Sequence, residues 1–352
     1  MKYFLDITPA IVNKTAIHNI IKDTVENIPE SKNQLLLLGK PYKYSGSFGS
    51  GLPRLMRWAL KAPRLFILAR RFLVPLLPND NRPIFLFDPL YLLFYRNLTQ
   101  SKIMVLDLTP ITRPEWHGTN VAKLYNEAFR QIKNLNLECH SISESTREDL
   151  RTVLKINEDK NLLLYIYANK KFQPHEEPVF SKQILFVGSF EPRKNLTGLI
   201  QGFQKSNLGK DGYSLHIVGA ATTHYENVKA DFLNDKSIVF HGYLSDAELH
   251  AVYQNTQVFA YPSHWEGFGV PLLEAMNMKI ASFASITSAC PEVGGPAMKY
   301  VDPKDTSEIA EALSSLCKMT KDEYLKYTET SWQHAQKFSF EKYIQTLEKA
   351  LQ

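Results

Sequence analysis

Apolar runs of strand length alternate along this chain with stretches whose apolar residues recur at helical spacing. In the first half the runs fall at residues 2–7, 34–38, 84–87, 103–106 and 139–143. A second series follows at 183–187, 214–218, 237–240, 258–261 and 280–284. Such alternation predicts parallel sheets covered by helices on both faces, so the chain reads as α/β. Between the two series, residues 168–179 are polar and bounded by prolines, as a linker would be. The pattern therefore divides the chain into domains at 1–175 and 180–335, with a final stretch, 336–352, that is helical from Phe340 onward. Ligands of such sheets bind at the carboxyl ends of the strands, and a cleft between two facing sheets is the expected active site.

Composition adds bounds rather than detail. A length of 352 residues is more than one core needs, and 44% apolar with 22% charged residues is ordinary globular usage, which excludes a disordered chain. Cys139, Cys290 and Cys317 are far apart, with no C-x-x-C and no histidine at metal spacing, so reduced structural thiols are expected. No Asp-x-Asp occurs either, so a metal clamp has no evident ligands and no metal is expected. Met1-Lys-Tyr-Phe-Leu-Asp-Ile-Thr carries charge within its apolar run, unlike a signal peptide, and no run approaches the roughly 18 apolar residues of a membrane span. A cytoplasmic location is expected, with the inner face of the membrane as the other possibility.

The candidate chemistry lies just after strands of the second series. Glu266-Gly-Phe-Gly-Val-Pro-Leu-Leu-Glu274 sets two carboxylates around a glycine turn and a helix start. Gly267 and Gly269 let a ligand approach the main chain on either side of Phe268, and Pro271 suits the first turn of a helix beginning near Val270. Free N–H groups at such a start attract anions, and a diphosphate fits there. Glu274, one turn in, is within reach of a ribose hydroxyl, whereas Glu266 stays on the loop towards the ligand's other end. Upstream, Gly188 and Ser189 end a strand, and Arg193, Lys194 and Asn195 precede a helix, where cations are unfavourable unless an anion is present. Taken alone, each of these charges is equally an ordinary surface group. His216 reads as a core histidine, and Ser245 with Glu248 as a capping box.

The segments Phe-Val-Gly-Ser-Phe-Glu-Pro-Arg-Lys-Asn-Leu, Leu-His-Ile-Val-Gly, Val-Phe-His-Gly-Tyr-Leu-Ser-Asp-Ala-Glu-Leu and Glu-Gly-Phe-Gly-Val-Pro-Leu-Leu-Glu-Ala follow one another here. In that order they resemble the retaining glycosyltransferases of family GT4, of the bacterial polysaccharide and O-antigen mannosyltransferase kind. The likeness is densest over residues 184–303 and includes Glu292-Val-Gly-Gly; earlier, Met104-Val-Leu-Asp-Leu-Thr-Pro and residues 141–150 are similar to the amino-terminal half of such enzymes. The resemblance implies a GT-B fold: two Rossmann-like domains facing each other across a cleft, the first for the acceptor, the second for the nucleotide sugar, and a last helix crossing back to the first.

It also implies roles. Tyr243 and Leu244 border the nucleobase, Glu266 and the main chain over Gly267, Phe268 and Gly269 meet the transferred sugar, and Arg193 and Lys194 neutralise the departing diphosphate. Gly188, Ser189, Asn195, Val270 and Glu274 complete the donor site. Metal independence and retained anomeric configuration are further implications. Two departures stand out: Ser189 occupies a place where the family usually has Arg or Lys, and the family's His-Asp pair is Leu106-Asp107 here. The proton from the acceptor hydroxyl is then assigned to Asp107 first and His117 second.

Between Ser31 and Asn79 there are nine Lys or Arg and no Asp or Glu. Arg54, Arg57, Lys61 and Arg64 recur at helical spacing opposite Leu52, Leu55, Met56, Ala59 and Leu60. Two readings of residues 50–75 stand side by side: peripheral contact with an anionic membrane, and a domain helix with a solvated basic face. Nucleic acid is not expected, because the whole-chain excess is only +5 and no recognition motif accompanies it. The leading functional expectation is transfer of a hexose, GDP-mannose favoured as donor, to a glycan or lipid-linked saccharide. A sugar-nucleotide epimerase or hydrolase of the same fold, or a non-catalytic transferase-like partner subunit, are the alternatives.

Overall fold

The computed structural model describes residues 3–12, 16–48, 54–73, 83–95, 98–174, 177–220, 229, 231–232 and 234–352; side chains at 33, 54, 55, 57, 58 and 70–73 fall outside the description. The chain forms two compact units, Met1–Ile166 with Glu341–Gln352, and Tyr167–Phe340. Each is α/β.

In the first unit, the described residues form a seven-stranded sheet from β1 (Phe4–Asp6), β2 (Leu35–Leu37), β3 (Lys40–Pro41), β4 (Ile84–Leu86), β5 (Lys102–Val105), β6 (Glu138–Ser141) and β7 (Asn161–Leu163), in the order β3-β2-β1-β4-β5-β6-β7. All pairs are parallel except β2 with β3. That hairpin turns on Leu38 and Gly39, both at positive φ (47° and 78°), the backbone of a two-residue turn matched to strand twist. Leu5, Ile84, Phe85, Ile103, Met104 and Val105 are fully buried, as expected of strands covered on both faces. The last helix, Phe340–Ala350, places Tyr343 and Leu347 in this unit's interior; the Tyr343 hydroxyl lies 3.0 Å from Thr24 Oγ1, and Lys102 Nζ donates to Ala350 O at 2.8 Å.

The second unit carries six parallel strands, β8 (Gln183–Val187), β9 (Ser214–Val218), β10 (Ile238–Gly242), β11 (Val258–Tyr261), β12 (Ala281–Ser285) and β13 (Lys299–Val301), ordered β10-β9-β8-β11-β12-β13. Strand order reverses between β8 and β11. Helices leave the two strands to opposite sides there, so the loops after them open a crevice, the usual ligand position in this architecture. The loops after β8 and β9 also touch: a Cβ added at Gly219 would lie 1.8 Å from the Gly188 carbonyl oxygen, so only glycine permits this backbone contact.

Candidate functional site

The loop after β8 runs through a short turn, Pro192–Lys194, to Asn195, which adopts the left-handed conformation (φ 57°) before the helix Leu196–Ser206. The buried Asn195 amide donates to Pro262 O at 3.0 Å and to Pro303 O, fastening this loop to the one after β11. His264 N donates to Arg193 O at 2.7 Å across the same seam. Residues 72 positions apart are thereby brought into contact. Lys194 Nζ donates to Glu266 Oε1 at 2.7 Å, Oε2 at 2.9 Å and the Tyr261 hydroxyl at 3.0 Å. Arg193 Nη1 reaches Glu266 Oε2 at 3.2 Å and Trp265 O at 3.3 Å, while its Nε holds Glu191 at 2.7 Å.

Lys194 and Glu266 are 6% and 4% exposed, so this is a buried ion pair and not a surface one. Burial works against charge on Glu266, but the Lys194 ammonium and the Arg193 guanidinium prevail and hold its carboxyl below the usual range. Burial pushes the Lys194 ammonium down as well, with Glu266 opposing that shift, so the two groups hold each other and Glu266 is an immobilised carboxylate facing two basic side chains. Its main-chain N–H donates to Ser288 Oγ at 2.8 Å, which fixes the loop from the third side.

Glu274 has a different environment. Gly269, at φ 109°, caps the helix Val270–Asn277, which carries Pro271 in its first turn, so Glu274 sits about one turn in, as the motif predicts. The Tyr253 hydroxyl donates to Glu274 Oε2 at 3.2 Å and to Pro271 O at 3.3 Å. No cation faces it. Burial pushes the Glu274 carboxyl up to about 8, with the Tyr253 hydrogen bond opposing and Asp246 adding to the rise. The folded protein thus keeps a proton that the unfolded chain releases above about 4.5, and stability falls as pH rises from there to about 8, by roughly 5 kcal/mol in all. Glu274→Gln is expected to remove this slope. Urea unfolding at pH 5 and pH 8 checks it: the wild type should lose several kcal/mol relative to the variant between the two, and parallel curves would refute the assignment.

The remaining donor-site candidates divide. Gly188 lies 3.4 Å, at its would-be Cβ, from the Lys194 side chain, and Ser189 follows it on the same loop. Gly267 joins Glu266 to Phe268, whose ring is 2% exposed and packs edge-on against Phe338 at 5.3 Å, a core contact. Val270 opens the helix. Tyr243 is 75% exposed and Leu244 half-buried, next to Ser245, which caps the helix Asp246–Gln254 in a box completed by Glu248. His216, half-buried on β9, pairs with His241 at 2.9 Å and Ser214 at 3.0 Å; burial and His241 push it down to about 4.

In the first unit, the structure joins the two proton-transfer candidates. Asp107 Oδ1 accepts from Thr109 N at 2.9 Å and from the Thr109 hydroxyl at 2.5 Å, and Thr109 Oγ1 lies 2.8 Å from His117 Nε2. With the threonine proton given to Asp107, its oxygen accepts from His117 Nε2–H. Asp6 and Asp88 lie at the carboxyl ends of β1 and β4 as Asp107 does after β5, and burial pushes both up to about 6. Sequence reading missed Asp6, Asp88, Thr109, Tyr253 and Tyr261. The first two had a signal, an aspartate closing an apolar run, in Leu5-Asp6 and Phe87-Asp88 as in Leu106-Asp107. Among the described residues, no group of three or more His, Cys, Asp or Glu side chains is placed to hold a metal ion.

A family model described as glycosyl transferases group 1 matches residues 167–331. The chain is 26% identical over 317 residues to the O-antigen chain mannosyltransferase B of Escherichia coli, covering 83% of this chain and 79% of that protein. It is 27% identical over 213 residues to an MMP alpha-(1->4)-mannosyltransferase of Mycolicibacterium hassiacum, covering 59% of this chain and 50% of that protein. Among solved structures, sucrose-phosphate synthase from Thermosynechococcus elongatus superposes with a TM-score of 0.72 at 15% identity, covering 99% of this chain and 97% of that one.

Proposed function

We propose that this chain, a GT-B glycosyltransferase of the GT4 kind, moves mannose from GDP-mannose to a glycan or lipid-linked saccharide with retention of anomeric configuration. The observation that carries this reading is the ionised Glu266 clamped by Lys194 and Arg193, one glycine turn ahead of the buried Glu274. The two mannosyltransferases above support the sugar.

The donor diphosphate would lie at the start of the helix Val270–Asn277, with its ribose hydroxyls on Glu274 and its base against Tyr243 and Leu244. As the bond between sugar and phosphate breaks, negative charge grows on the diphosphate and positive charge on the sugar ring. Arg193 and Lys194 meet the first and the Glu266 carboxylate the second. Because these groups are already fixed, little reorganisation is needed when the charges appear. Asp107, held by Thr109 and through it by His117, would take the acceptor proton. The electrostatic task is met by side chains, so no metal requirement is proposed.

A thermal-shift screen of GDP-, UDP- and dTDP-sugars tests the donor, since a ligand at 100 times its dissociation constant stabilises by about 2.7 kcal/mol. GDP-mannose should shift the transition most. Release of free nucleotide or an isomerised sugar without acceptor would instead favour a hydrolase or epimerase. Arg193→Ala should weaken GDP binding by about 1.5–3 kcal/mol through loss of a charge-assisted contact, and leave guanosine binding little changed. Equal losses for the two ligands in calorimetric titration would remove Arg193 from the diphosphate site. Peripheral contact of residues 50–75 with the inner face of the membrane is part of the same proposal; residues 50–53, 74 and 75 lie outside the described residues, as do the side chains of Arg54, Leu55 and Arg57. Among the described residues no helix is long and apolar enough to cross a membrane.

A further inference from the structure

The helix Pro63–Leu73 presents leucine outward. Pro63 and Phe66 point into the first unit and are buried, while Arg64 is exposed and Leu65 and Leu68 are 61% and 67% exposed. The preceding helix, Arg54–Lys61, buries Met56 and Ala59, so the pair is anchored and its outer apolar side chains are surplus to the core. No Asp or Glu occurs anywhere from residue 31 to 79.

Beside this helix, against the helix Thr119–Asn134, runs a groove of about 620 Å³. Its lining mixes two chemistries. Ile67, Ile111 and Leu154 are half-buried apolar groups, and Arg64, Lys123 and Lys133 are cations without a carboxylate partner among the described residues. The one acid in the lining, Glu127, is already satisfied: Arg130 holds it at 2.6 and 2.9 Å and Gln131 at 2.7 Å. Among the described residues the groove therefore presents three positive charges without a paired carboxylate over an apolar floor, beside two leucines in solvent.

We infer that this groove receives the phosphate and upper acyl chain of an anionic membrane lipid, with Leu65 and Leu68 entering the bilayer interface alongside. Phosphate complements the three cations, and a chain complements the floor. An acidic protein partner would meet the charges but leaves outward leucines on an acid-free helix without a reason. The inference rests on the membrane contact proposed above and names its site, which lies wholly in the first unit, apart from the donor groups.

The test is co-sedimentation of the full chain with vesicles of phosphatidylglycerol or of phosphatidylcholine at fixed ionic strength. The wild type should prefer phosphatidylglycerol, and Lys123→Gln with Lys133→Gln should lower its partition about 25-fold, some fivefold for each cation. Leu65→Ser with Leu68→Ser should lower it tenfold or more. Lys318→Gln with Lys326→Gln, an equal charge change at exposed positions of the second unit, should lower it no more than about twofold. Equal partition of the wild type onto both lipids, or equal losses for the groove and control pairs, would overturn the inference. GDP-mannose binding measured without vesicles separates the two claims: its absence tells against the proposed donor and leaves the groove standing, and absent vesicle binding with donor binding intact tells against the groove and the membrane contact it rests on.

Discussion

Lys194→Ala is expected to lower the unfolding free energy by about 3–5 kcal/mol, because it leaves the Glu266 carboxylate buried without its nearest counter-charge. Arg193 remains at 3.2 Å but touches one oxygen only, so it offsets part of the loss. The effect carries a pH signature. Without the lysine, burial governs Glu266 and raises its pKa, so the destabilisation should be greatest at neutral and alkaline pH and should shrink as acid protonates the carboxyl. Adding Glu266→Gln to Lys194→Ala should restore much of the stability, since the orphaned charge is then gone. Guanidinium unfolding of the two singles and the double supplies the cycle. Additive losses would mean that the pair is not coupled as its distances indicate.

Glu266→Gln should lower turnover by about 100- to 1000-fold, the usual loss when a fixed group facing developing charge is removed. Its effect on GDP binding should have the opposite character. Among Glu191, Arg193, Lys194 and Glu266 the formal charges cancel, so neutralising Glu266 leaves the cluster net positive, and binding of the diphosphate should be unchanged or tighter. A contact that acts mainly in the transition state shows this split between turnover and affinity. Steady-state kinetics beside GDP titration checks it, and wild-type turnover in the variant would remove Glu266 from the chemistry.

The sheet of the second unit was legible because its central strands are apolar: β8 and β11 stand where the apolar runs predict, and so does β9, although Ser214 and His216 leave one of its faces polar and half-buried. Where edges enter, the pattern weakens. The run at 237–240 is β10 over Ile238–Gly242, displaced by an irregularity in its pairing with β9 between Phe240 and Gly242. The edge strands β3 and β7 were not foreseen; they are three residues or fewer, and the β2–β3 hairpin turns on Leu38, a residue type that rarely accepts positive φ.

The site was legible in its local parts and not in its long-range ones. The helix start at Val270, the position of Glu274 and the capping box at Ser245 follow from spacing, which is local information. That Lys194 would be buried on Glu266 does not, since the contact depends on Asn195 fastening two loops after different strands. The same holds for the Tyr253 hydroxyl on Glu274 and for Thr109, which joins Asp107 to His117. Periodicity reports which face of an element is buried, not which polar groups meet there.

The central claim, that Glu274 and the Glu266 cluster hold opposite ends of one sugar nucleotide, is tested most directly by calorimetric titration of GDP into the wild type, Glu274→Ala and Glu266→Ala. The account predicts that Glu274→Ala loses most of the GDP affinity through its ribose contact, while Glu266→Ala binds GDP as tightly as the wild type or more so. Full affinity in Glu274→Ala, or equal loss in both variants, would contradict it.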